Sequence, residues 1–146
     1  MPKPKWVRPA ADDKTGLELR IHATIRMLLP AGKRKEALII IRSMIERIKL
    51  EEGCISCRLY QDVLEKRALM LEEMWAGETA LHKHLRSADF RNVLLVVEMA
   101  SEPPEIRFDR ISSSTGLNTI VEVRGETDGF RSDSGPSPRW SEKVFR

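Results

Sequence analysis

Between Leu69 and Val97 the apolar period changes from two residues to 3.6, which fixes where one strand ends and helical structure begins. Leu69, Leu71 and Trp75 alternate with Met70 and Met74, the pattern of a strand half-buried on each side. Past Gly77, Ala80, Leu81, His84 and Leu85 recur at helical spacing. Arg86-Ser87-Ala88-Asp89 interrupts that helix. Phe90, Val93, Leu94 and Val97 resume the period, with either Ser87 or Asp89 available as the cap.

Upstream, Leu19 to Leu28 reads as a strand. Leu19, Ile21, Ala23, Ile25 and Met27 lie on one face and Arg20, His22, Thr24, Arg26 and Leu28 on the other. Pro30-Ala31-Gly32 turns the chain into a helix over Lys33–Glu52, with Ala37, Leu38, Ile41, Met44, Ile45 and Ile48 as its buried stripe and Gly53 as its stop. Ile39 and Ile40 broaden that stripe and suggest further packing, against a partner subunit among other surfaces. Cys54 to Val63 reads as a strand with Ile55, Cys57, Leu59 and Val63 on one face. It forms a hairpin with the strand that follows the Leu64–Arg67 turn. After Glu102-Pro103-Pro104, Ile106 to Ile111 alternates again.

The order strand, helix, strand, strand, helix, strand is a split βαβ arrangement. It gives an α+β fold with a four-stranded antiparallel sheet and both helices on one face. Gly116–Val123 fits either a short helix or an edge strand. The domain spans 17–125, between a flexible arm at 1–16 and a polar tail at 126–146. Apolar residues on both strand faces, including Leu28, Leu69, Leu71 and Ile111, would meet water in a lone copy, so a homodimer through sheet faces is expected.

Composition excludes several classes. A chain with 41% hydrophobic and 32% charged residues suits a water-soluble domain, and no apolar run approaches the roughly 20 residues that span a bilayer. The N-terminus lacks a secretory pattern, so a cytoplasmic protein without membrane partners is expected. Of the formal +3 charge, +2 falls in residues 1–16 and none in 126–146. The remainder is too small and too interleaved with acids for a nucleic-acid footprint.

Glu73-Met74-Trp75, a short break, and then a helix carrying His84-Leu85-x-Ser87-x-x-Phe90 resemble the signature of the antibiotic biosynthesis monooxygenase family, over about Leu17–Arg124. The resemblance implies a ferredoxin-like fold and a dimeric α+β barrel. It also implies oxidation of a small phenolic, anthrone-like or quinol substrate by O2 without metal, flavin or other cofactor. Two departures stand out. Many members have Pro-His where this chain has Ala88-Asp89, and the haem-degrading branch carries its iron-binding histidine where this chain has Leu94. The rival expectation is a non-catalytic homodimer that binds or senses a small aromatic or hydrophobic ligand.

Two candidates for proton transfer follow. His84 lies on the apolar stripe, either as a general acid/base in a pocket between helices and sheet or as a core histidine bonded to a backbone carbonyl. His22 lies centrally in the first strand, on the face of Arg20 and Arg26, which lines either a pocket or the dimer seam. His82 is two residues from His84 and points elsewhere. Trp75 is either a cavity wall with its N–H aimed inward or plain core. Tyr60 and Arg58 share a strand face and suit a phenolate or quinone oxygen. Cys54-Ile55-Ser56-Cys57 lies at a strand start rather than a helix N-terminus, so buried reduced thiols are expected and no metal site.

Overall fold

The computed structural model describes residues 18–125; the arm at 1–16 and the tail at 126–146 lie outside the described residues. Its elements are β1 (Arg20–Leu28), α1 (Ala31–Lys49), β2 (Cys54–Gln61), β3 (Ala68–Trp75), α2 (Glu78–Leu85), α3 (Ala88–Glu98), β4 (Glu105–Ile111) and α4 (Leu117–Arg124). β1 pairs antiparallel with β3 on one side and β4 on the other, and β2 pairs with β3, giving the order β2-β3-β1-β4. This is the ferredoxin-like α+β fold, with its second helix broken into α2 and α3. Backbone contacts divide the chain after Ser112. In the second unit the ambiguous Gly116–Val123 stretch is helical, and α4 buries no side chain.

The alternation in β1 holds throughout: Ile21, Ala23, Ile25 and Met27 are buried against the helices, and His22, Thr24, Arg26 and Leu28 face the other way. α1 starts earlier than the expected Lys33. Pro30 occupies its N-cap position at φ −62°, a value its ring sets in advance, so the turn runs directly into the helix. α1 buries Ala37, Ile41, Met44 and Ile48 and packs Leu38, Ile40 and Ile45 partly, while Ile39 faces solvent. α3 buries Phe90, Val93 and Val96, each worth about 2 kcal/mol relative to exposure. α2 fully buries only Leu81 and His84, and packs Ala80 and Leu85 partly against the core.

Three expectations are corrected. A bulge between Cys54 and Ser56 shifts the register of β2, so Ile55 is 51% exposed instead of sharing the face of Cys57, and β2 ends before Val63, which is exposed. Leu69 and Leu71 pair with Met27 and Ile25 on the helix-facing side and are buried within one copy, so they do not contribute to an uncovered face. On α3 the inward stripe continues through Val96, and Leu94 is exposed. Among the described residues no helix is long and apolar enough to cross a membrane.

Candidate functional site

Four residues from the α1–β2 corner, β3 and α3 meet around one imidazole. Leu81 and His84, three apart on α2, both turn inward, which sets His84 against the end of β3. The His84 side chain has no exposed surface. It stacks on Trp75 at a centroid distance of 4.5 Å and an interplanar angle of 29°, and meets the Phe90 ring edge-on at 5.4 Å. Its Nδ1 lies 2.6 Å from Glu51 Oε2 and its Nε2 lies 3.0 Å from Glu73 Oε2. The second approach is an ion-pair contact out of line with the ring N–H rather than a directed hydrogen bond.

Both carboxylates can only accept when ionised, and a neutral imidazole has only one N–H to give. A ring flanked on both nitrogens therefore needs a proton on each side. Burial acts first, against the charged ring; the carboxylate of Glu73, followed by that of Glu51, outweighs it and raises the His84 pKa above the ordinary imidazole value. The expected backbone carbonyl partner is replaced by two acids.

Glu73 is itself 2% exposed, on the helix-facing side of β3 opposite Ala23 and Cys57. Glu51 follows the end of α1. Its carbonyl accepts from Cys54 N–H, and Gly53 turns the corner at φ +82°. A Cβ on Gly53 would lie 2.3 Å from the Ala80 Cβ, so only glycine lets α2 come this close to the corner. Glu51, Glu52, Ala80, Lys83, His84 and Ser87 line a cleft of about 200 Å³. The side chain of Glu51 is 23% exposed, so the chain Glu73–His84–Glu51 runs from the sealed core to the cleft rim.

The other predicted residues lie across the sheet. His22 contacts Glu72 at 3.0 Å, and the Tyr60 hydroxyl donates to the same carboxylate at 3.3 Å. Arg58 pairs opposite Glu72 in the strand register. Thus His84 and Trp75 share the helix side, while His22, Tyr60 and Arg58 share the opposite face. Tyr60 borders a separate depression of about 150 Å³ with Arg26, Asp62 and Met70. Trp75 is fully buried, and among the described residues no acceptor meets its indole N–H. Both cysteines are free thiols; burial foremost, with Glu73 next, pushes Cys54 up to about 11 and Cys57 up to about 12. Among the described residues no group of three or more His, Cys, Asp or Glu is arranged to hold a metal ion.

Two acids were not singled out from sequence. Glu73 carried a signal, since it occupies an inward position between Leu71 and Trp75 where a strand ordinarily holds an apolar residue. Glu51 carried none: it stands beside Glu52 at a helix end, and its partner is 33 residues away.

An uncharacterized protein from Synechocystis sp. is 26% identical over 108 residues, covering 73% of this chain and 74% of that protein. A conserved protein from Methanosarcina mazei Go1, solved by crystallography, is 30% identical with a TM-score of 0.60, covering 63% of this chain and 92% of that one. The crystal structure of an antibiotic biosynthesis monooxygenase, 17% identical with a TM-score of 0.59 over 64% of this chain and 99% of its own, has the same fold. Residues 20–94, which span the split motif from β1 into α3 and contain Glu51, Glu73, Trp75 and His84, match the antibiotic biosynthesis monooxygenase family, and the chain belongs to that family.

Proposed function

We propose that the protein is a cofactor-free monooxygenase that oxidises a small phenolic or quinol substrate with O2 in the cleft beside Glu51. The observation that carries this reading is the His84 ring held between a sealed carboxylate and one at the cleft rim. A perturbed titratable group backing a cleft is what acid–base work requires. In this scheme Glu51 accepts the substrate hydroxyl proton, His84 positions Glu51, and Glu73 holds the ring. The substrate supplies its own electrons: a phenol with a free para C–H takes up one O2 and yields a quinone and one water. Lys83, on the same cleft wall, offers a cation to the phenolate.

A specific observation favours the second reading, a non-catalytic binder: both nitrogens of His84 are already engaged and its side chain has no exposed surface. The two readings separate in an oxygen electrode. Hydroquinones and anthrones are supplied to the purified protein with a chelator present, alongside Glu51→Gln and Trp75→Phe. Uptake above autoxidation that falls about 100-fold or more in Glu51→Gln supports the oxygenase. Saturable quenching of tryptophan fluorescence by the same compounds, without uptake, supports the binder. We also propose a homodimer through the sheet face that bears Leu28, Met70 and Met74.

A further inference from the structure

We propose that Glu51, His84 and Glu73 form a proton-dependent latch that holds α2 on the sheet and releases it when the three groups lose one of their two bridging protons. The inference does not depend on the oxygenase reading. Its basis is the donor count. Nδ1 is hydrogen-bonded to one carboxylate at 2.6 Å and Nε2 meets another at 3.0 Å in an ion-pair contact, so attraction to both acids needs a second proton shared among the three groups. The count is the same whether the ring carries both or one acid carries one. With a single proton left, a ring lone pair faces a carboxylate inside the core, and the sealed Glu73 loses the cation beside it.

α2 is the element that feels this loss. It has eight residues, too few to stand alone as a helix, and no side-chain cap at its N-terminus. Its only fully buried side chains are Leu81 and His84, with Ala80 and Leu85 partly packed on the core, so the titrating ring is one of its two buried anchors. The ring also joins α2 to three neighbours, through Trp75 and Glu73 of β3, Glu51 of the α1–β2 corner and Phe90 of α3. Releasing it would widen the cleft that Ala80, Lys83 and His84 line from the α2 side.

The remaining charged groups nearby are internally compensated. Lys83 and Glu52 pair at 3.7 Å on the cleft wall. Arg47 and Asp89 pair at 2.9 Å between α1 and α3. On β2, Cys54 and Cys57 titrate only at about 11 and 12. His82, on the same helix, is exposed. The sign follows from the raised pKa of His84: its stabilisation is complete below the unfolded imidazole value and is lost as pH rises through the folded one.

The test uses the full chain with Trp6→Phe and Trp140→Phe, leaving Trp75 as the only indole. Trp75 emission and amide protection factors are followed from pH 6 to 10. A reversible emission change with its midpoint above about 6.5 is expected, with protection lost in α2 before α1. In Glu73→Gln the midpoint should fall by about one pH unit or more. Glu51→Gln, altered at the partly exposed rim, carries the same expectation if the buried variant does not fold. Flat emission, a midpoint that neither variant moves, or equal loss of protection in α1 and α2 would each overturn the latch.

Discussion

Trp75 brings a large ring into the core and also a buried donor without a described acceptor. The two properties predict different costs for two substitutions. Trp75→Phe keeps most of the ring contact with His84 and removes the unsatisfied N–H, so stability should change by less than about 1.5 kcal/mol. Trp75→Ala empties the site and should cost about 3–5 kcal/mol. Urea denaturation of both variants checks the pair; equal losses would mean that the indole N–H is satisfied in solution. Gly53 is the second decisive residue. An alanine there meets both a φ of +82° and the Ala80 methyl, so Gly53→Ala should lose about 2 kcal/mol or more and loosen α2. At this scale the sequence was half legible. His84 and Trp75 stood out by type and position, and Glu73 stood out only as a motif letter. Glu51 stayed invisible because nothing local marks an acid that reaches across 33 residues.

The break between α2 and α3 is made by one hydroxyl. Ser87 Oγ accepts the Phe90 N–H at 3.1 Å, and Ser87 N–H donates to the His84 carbonyl at 2.9 Å, so this residue ends one helix and starts the next. Asp89, the other candidate cap, sits in the first turn of α3 and accepts instead from Arg47 of α1. Ser87→Ala should therefore cost about 1 kcal/mol, measurable as a lower urea midpoint with an unchanged slope. Removing Asp89 should cost less, since the Arg47 side chain is largely solvated. Element order was legible because period two and period 3.6 alternate cleanly along the chain. The β2 register was not. A bulge adds one residue to one strand, and no alternation within Cys54–Val63 reveals which residue the partner strand will skip.

For the whole molecule, the face of the sheet away from the helices is where the proposed homodimer would form. Four strands of seven to nine residues present a flat area of about 500 Å², near the smaller end of what a stable interface uses on each partner. Nearly the whole face must therefore be engaged if two copies pair through it. Its apolar part includes Leu28, Met70, Met74 and Ile111, all half-buried, and the His22–Glu72–Tyr60 cluster lies among them. Methionines suit such a seam because their flexible thioethers fit an irregular facing surface. Met74 pairs with His22 in the strand register, on the two central strands near the Trp75 end of β3. Met74→Lys would place an ammonium there beside the imidazole, leaving the helix side and its core untouched. Sedimentation equilibrium should then report a dimer for the parent chain and a monomer for the variant, with the urea midpoint of an isolated chain preserved. A parent chain that sediments as a monomer at micromolar concentration would remove the sheet-to-sheet dimer. The same measurement on Glu51→Gln separates assembly from the cleft: that substitution lies on the helix side of the sheet and should leave the dimer intact.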